Sequence, residues 1–481
     1  MLPLPHLSQL PTLPTRNPRT GLPDHDMPVF GTADVAAVAQ QLRAAQAVWA
    51  AQPVDQRLQA LAALAQALVA EQANLVSALS VDTGRRGESV IEVQAVLGII
   101  QGWVAETPAL LATPAPRRSR MPHVWVEQQL HPYAVAGIIS PWNFPLILSL
   151  IDAIPALAAG CAVLIKPSEA TPRFVPALRA AIARVERLQG VLQLVTGPGS
   201  TGEAVIRASD LVCFTGSVAT GQRVAELAAE LFVPAHLELG GKDAAIVCID
   251  ADLPRAARAL AWGSMGSAGQ SCMSIERCYV HRSVFDRFVD LLTAQVSALK
   301  HCWPDIEQGQ IGPIISSLQI PIVTRHLADA FERNARATTG GKVLNLGGGA
   351  WCQPTVLVDV KPDMAVMQDE TFAAILPVMP FDDEDEAIAL ANRTVYGLSG
   401  CVFSQDLARA RRIAARLQAG AISINDAALT AMVYDAAKHS FKRSGLGGSR
   451  MGSASLQRFY RQQAWLLNDG TPSPWWFAPP A

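Results

Sequence analysis

The chain has 481 residues, of which 50% are hydrophobic and 17% charged, with a formal net charge of -2; this excludes a disordered chain and leaves room for two or three cores. No long basic run accompanies that balance, so nucleic acid and a polybasic membrane anchor are set aside and a small molecule is the expected partner. The eight cysteines, at 161, 213, 248, 272, 278, 302, 352 and 401, form no CxxC pair, and the start "MLPLPHLSQLPTLPTRNPRTG" lacks the charged-then-apolar order of a signal peptide; a reduced, cytoplasmic protein without a metal site is expected.

Residues 1–30 are rich in proline and read as an arm. From Val35 the apolar positions Val38, Leu42, Ala45 and Trp49, then Leu58, Leu61, Leu64, Leu68, Leu75 and Leu79, recur at three- and four-residue steps, which predicts amphipathic helices. The uncharged stretch from Pro132 to Ile151 is interrupted by Pro141, Asn143 and Pro145, so it is not a membrane span. From Ala134 short β-rich runs, "AVAGIIS", "CAVLIK", "VLQLVTG", "LVCFTGS" and "HLELGG", alternate with helical ones such as "FVPALRAAIARVERL" and "TGQRVAELAAEL". That order predicts a parallel sheet covered on both faces, with a nucleotide site at the carboxyl ends of its strands.

A second α/β series begins near Ala244 with "AAIVCI" and continues through "CYVHRSVFDRFVDLL", "PTVLVDV" and "GAISIND". The expected organisation is an arm at 1–30, a Rossmann-like cofactor domain at 31–120 and 133–239, and a catalytic α/β domain at 240–442. A small β element at 121–132 and 443–481 completes it, ending in a tail that carries Trp475, Trp476 and Phe477.

The ordinary dinucleotide fingerprint GxGxxG is missing from the first strand-to-helix turn, where "SPWNFP" stands instead. The stretch "GSVATGQR" at Gly216 has no Lys-Ser or Lys-Thr, so Walker A fails and only a helix start able to touch phosphate remains. In "KPSE" a strand end presents Lys166 and Glu169. These are either a surface lysine with a proline turn, or a cation and a carboxylate gripping a ribose, in which case Glu169 repels a 2′-phosphate and favours NAD over NADP. Cys272, in "GSAGQSCMSIERC", taken alone is more often a buried small hydrophobe than a nucleophile.

The ordered set "SPWNFP", "KPSE", "FTGS", "LELGGK", "GQSC", "ETF", "YGLSG" and "KRSGLG", running from Asn17 to Lys442 and beyond, resembles the aldehyde dehydrogenase superfamily. The resemblance implies Cys272 as nucleophile, Glu238, 34 residues earlier, as the base that activates water, and Asn143 with the Cys272 backbone N–H as donors to the alkoxide. It implies NAD, with NADP possible, held by Trp142, Lys166, Ser168, Glu169, Gly216, Ser217, Glu370 and Phe372. It also implies an aldehyde tunnel lined by Phe144, Leu148, Ile151 and Met273, an apolar lining that suits aromatic or aliphatic aldehydes better than semialdehydes. Glu238 argues against the CoA-acylating relatives. Two departures stand out: Ala373-Ala374 replace Gly-Pro, and "AKHSF" replaces Pro-Phe-Gly-Gly before the last Lys-x-Ser-Gly. Elements such as "HVWVEQQLHPY" and "RFYRQQAWLL" join subunits in this family, so a homodimer or homotetramer is implied. A cysteine hydrolase leaves "SPWNFP", "KPSE" and "ETF" unexplained, and a non-catalytic relative leaves Cys272, Glu238 and Asn143 unexplained.

Overall fold

Every residue of the strands Val135–Ile139, Ala162–Lys166 and Leu211–Thr215 is buried, which is why these runs are apolar throughout instead of alternating. In the computed structural model, which describes residues 7–112, 114–121 and 123–470, they form the middle of a six-stranded sheet. Its order is Gly445–Leu446, Ala235–Glu238, Leu211–Thr215, Val135–Ile139, Ala162–Lys166, Leu192–Leu194. The last five strands are parallel, and Gly445–Leu446 adds antiparallel at the edge, with Gly445 opposite Glu238.

The helices expected before this sheet are Thr32–Ala50, Val54–Ala70 and Gln72–Thr83, followed by Gly87–Leu110. All the leucines named for them and Val38 and Trp49 are buried, and the Trp49 indole donates to the Leu157 carbonyl at 3.0 Å. Thr32–Ala50 packs on the strand Ala162–Lys166 and on the helix Gly199–Ala208.

A second sheet has the order Arg336–Thr339, Thr355–Val358, Ile375–Phe381, Ile275–His281, Asp243–Val247, Ser399–Phe403, Ala421–Ile424. Arg336–Thr339 pairs antiparallel and the other neighbours are parallel. The chain passes from one sheet to the other between Glu238 and Asp243.

Two segments behave differently from a loose arm and a tail. The amino-terminal stretch forms a hairpin of Thr12–Arg16 with Pro23–Pro28, tied down where Arg173 bridges Asp24 and the buried Asp82. Arg19 reaches the Cys302 and Pro304 carbonyls at 2.5 and 2.7 Å. The segment beginning at 443 splits, since Leu456 and Phe459 join the core of the first sheet, while Tyr460–Asn468 pairs antiparallel with Val124–Pro132 in an exposed three-stranded ribbon completed by Arg117–Arg118. Trp475, Trp476 and Phe477 lie outside the described residues. Among those residues no helix is long and apolar enough to cross a membrane.

Candidate active site

Parallel pairing aligns strand ends. In the first sheet Ile139 lies opposite both Lys166 and Phe214, and Thr215 lies opposite Glu238, so Trp142, Asn143, Lys166, Gly216 and Glu238 all emerge at one carboxyl edge. In the second sheet the segments that lead into the strands, Gly241-Lys242, Cys272, Glu370 to Phe372 and Gly397, come to the amino edge. Hydrogen bonds lace the two edges together, and the candidate residues lie along the seam.

Cys272 sits in a turn that the helix Leu253–Met265 cannot continue into, because Ser267, Ala268 and Gly269 all have φ near the left-handed value, 56°, 57° and 71°. Gly269 is required there: a side chain would strike the Ala373 carbonyl. Ala373 and Ala374, the departure from the family pattern, are buried against this turn. Of the eight cysteines, seven are buried and Cys272 alone is partly accessible. Burial nevertheless pushes its thiol up to about 12, with Lys438 the foremost group acting against that rise.

Asn143, 3% exposed, donates from Nδ2 to the Gln270 carbonyl at 3.1 Å. This bond fixes the amide orientation and leaves the second N–H free to donate. Behind it Arg85, fully enclosed, donates to the carbonyls of Asn143 and Ser267 and lies 4.8 Å from the Phe144 ring. Glu92 accepts from the Leu146 and Ile147 amides at 2.6 and 2.9 Å, so a carboxylate caps the helix Pro145–Leu150 that follows Asn143. Of the expected tunnel residues, Phe144, Leu148 and Met273 are half-buried, whereas Ile151 is packed within the core.

Glu238 accepts from the Ser440 hydroxyl at 3.1 Å. Ser440 and Lys438 belong to the substituted "AKHSF" segment, which therefore reaches over both Glu238 and Cys272. Lys438 donates to Met273 Sδ at 3.5 Å and to the Thr430 carbonyl at 3.3 Å. His236 accepts from the Gly448 amide at 3.0 Å, and burial holds it down at about 4, so it is a neutral structural acceptor.

Glu370 accepts from the Gly241 amide at 3.0 Å, and burial pushes its carboxyl up to about 8. Gly240 and Gly241 make room here: a Cβ on the first would come within 2.5 Å of Glu370, and on the second within 2.5 Å of the Cys272 carbonyl. Phe372, held at φ 54°, meets the Trp142 ring edge-on with centroids 5.3 Å apart. The strain at Phe372 is sustained by Glu276, whose carboxylate accepts the Thr371 and Phe372 amides at 2.7 and 2.8 Å and the Lys242 ammonium at 2.6 Å.

On the first sheet Lys166 pairs with Glu169 at 2.8 Å. Burial raises the Glu169 carboxyl, but the Lys166 charge outweighs it and the net shift is downward. Ser168 accepts from the Ala170 amide, and Ser217 caps the helix Val218–Glu230 by accepting from Thr220 at 3.3 Å. Gly216, whose amide donates to the Glu238 carbonyl at 3.1 Å, has Phe214 where a side chain would be.

Sequence reasoning passed over Arg85, Lys242, Glu276 and Lys438. Lys242 was within reach as the last letter of "LELGGK", and Lys438 as a charge inside an unusual substitution; Arg85 and Glu276 carry no local signal.

The Aldehyde dehydrogenase family model matches residues 7–465. The chain is 38% identical over 405 residues to the 4,4'-diapolycopene aldehyde oxidase of a Methylomonas species, covering 82% of this chain and 75% of that one. It is 34% identical over 409 residues, 85% of this chain and 79% of the other, to a Mycobacterium bovis protein named "Putative succinate-semialdehyde dehydrogenase", NADP(+), 2. The solved structure titled "Putative Aldehyde Dehydrogenase PutA" from Anabaena variabilis superposes with a TM-score of 0.95 at 48% identity, covering 97% of this chain and 100% of that one. With this match over nearly its whole length, the chain belongs to the aldehyde dehydrogenase family and is an NAD(P)-dependent aldehyde dehydrogenase.

Proposed function

We propose that this enzyme oxidises an apolar aldehyde, aromatic or medium-to-long aliphatic, to the free carboxylic acid, with Cys272 as nucleophile, Asn143 as alkoxide donor and Glu238 as base. The observation that carries the reading is the convergence of the one accessible cysteine, an amide with a spare N–H and a carboxylate held only by a hydroxyl along a single seam.

The Cys272 sulfur attacks the aldehyde carbon, and the negative oxygen of the resulting thiohemiacetal is stabilised by Asn143 Nδ2 and the Cys272 backbone N–H. NAD(P)+ supplies the hydride acceptor. The donor sets at the two edges suit such a dinucleotide: on the first sheet Glu169 would offer a carboxylate to ribose hydroxyls and the Ser217-capped helix its N-terminus to phosphate, and on the second Glu370 and Phe372 would hold the nicotinamide end. Glu169 favours NAD over NADP by charge. Once the thioester has formed, Glu238 takes the proton of the attacking water and the acid departs.

A semialdehyde is the second reading, favoured by the Lys438 ammonium beside Met273. The exposed ribbon, with Trp465, Leu466 and Leu467 outward, supports a homodimer or a pair of dimers, and the cysteine usage supports the cytoplasm. A cofactor domain ending near 239 and a catalytic domain from 240 agree with the crossing between sheets.

Cys272→Ala tests the mechanism: NADH formation from any aldehyde should vanish while NAD binding and the melting temperature stay near wild type. Substantial turnover by the variant would rule the covalent route out.

A further inference from the structure

Lys438 occupies the place where the family pattern is broken, and the foremost opposite charges acting on its ammonium are those of Glu238 and Cys272. The ammonium's hydrogen-bond partners are a thioether and a carbonyl, neither of them anionic and the first a weak acceptor. The charged groups around it are Glu238, Asp243, Cys272 and Arg450. Those acting on Cys272 are Lys438 and Arg450 on the positive side and Glu370 and Asp243 on the negative, with the Tyr434 phenol also near.

These groups are not equal. Arg450 is spoken for by the buried Asp152, at 3.3 and 2.8 Å. Burial pushes both Glu370 and Asp243 upward, which weakens the negative charge they set against the sulfur. Lys438 is thus the foremost charge favouring the Cys272 thiolate, its ammonium touching the neighbouring Met273 at 3.5 Å, while its own foremost opposite charge is Glu238.

We propose that Lys438 is a positioning residue for the nucleophile: its ammonium, steadied by Met273 and Thr430, offsets the charge of the Cys272 thiolate and so sets the fraction of sulfur able to attack. The thiol proton leaves to solvent or to Glu238, and Lys438, whose hold on its own proton burial weakens, acts in its charged form. A nearby opposite charge favours the ionised form of a half-buried acid.

The inference rests on Cys272 being the nucleophile, but its test uses neither aldehyde nor cofactor, so its failure is separable from a failure of turnover. The rate of Cys272 alkylation by iodoacetamide, in which the thiolate forms the S–C bond and iodide leaves with its electron pair, is followed against pH by peptide mapping, with Cys272→Ala as baseline. Lys438→Met should slow alkylation near neutrality about tenfold, whereas Lys438→Arg should keep the wild-type rate. A Lys438→Met profile that overlays wild type, or a Lys438→Arg profile displaced as far as the methionine variant, overturns the proposal. Should Lys438→Met not retain the wild-type melting temperature, Lys438→Gln is read by the same two criteria.

Discussion

Two lysine–glutamate pairs stand on opposite sides of the seam, and they are built for different work. Lys166 and Glu169 meet at 2.8 Å with the glutamate side chain 43% exposed, while Lys242 and Glu276 meet at 2.6 Å with both side chains almost wholly buried, at 0% and 3%. Glu169 has Lys166 as its side-chain partner and faces solvent with its remaining lone pairs. Glu276 spends its lone pairs on the Thr371 and Phe372 amides, and Lys242 also holds the Thr371 hydroxyl at 3.1 Å. A pair left open to water is available to a ligand and adds little to folding; a pair closed on backbone amides is part of the frame. The backbone of Thr371 and Phe372, next to Glu370, is therefore held from behind by a buried carboxylate.

The largest effect should come from breaking the closed pair. Glu276→Ala leaves the Lys242 ammonium buried without its anion and frees the amides before Ile375, and it should destabilise the fold by about 3–5 kcal/mol, read as a lower denaturant midpoint. A midpoint equal to wild type would show that the two pairs are not different in kind.

Glu238 lies between these extremes, held by one hydroxyl and available to water. Glu238→Gln is close in shape but cannot take a proton, so stopped-flow measurement should give a burst of about one NADH per active site followed by a steady state about a hundredfold slower, with acyl-enzyme visible by intact mass. Turnover like wild type would assign water activation to another group. Loss of the burst itself would move the role of Glu238 to an earlier step.

The smallest effect belongs to the open pair. Glu169→Gln should leave the denaturant midpoint close to wild type and should shift the ratio of kcat/KM for NAD and NADP towards NADP by about tenfold, as for one lost charge repulsion of about 1.4 kcal/mol. An unchanged ratio would remove Glu169 from cofactor choice.

The contrast also explains what the sequence made legible. The buried strands could be read because their apolar runs are continuous, and the turn from Glu238 to Asp243 could be read as the passage between two series. Cys272, Asn143 and Glu238 stood in ordered motifs. Arg85 could not be found in this way, since it lies 58 residues from the Asn143 whose carbonyl it holds, and nothing local in "TGRRGES" marks a guanidinium that will be enclosed. Glu276 reaches its amide partners across 95 and 96 residues. Ile151 could not be separated from the core in this way, because an apolar helix residue beside a substrate channel and one beside the core have the same chemistry, and it packs in the core of the first sheet. The amino-terminal prolines suggested an arm because proline marks irregular chain, yet Pro14, Pro23 and Pro28 lie in a hairpin tied down by Arg173.

The exposed ribbon carries one more consequence. Val124–Pro132 is followed after two residues by Val135–Ile139, the strand near the middle of the first sheet, and four residues beyond that strand stands Asn143. The join is tied to the segment before Tyr460, since the Tyr133 amide donates to the Phe459 carbonyl at 3.1 Å. Mechanically the ribbon is thus a lever with a short arm: a tug delivered to its outer face has only residues 133 and 134, one buried strand and residues 140–142 to travel through before it reaches Asn143.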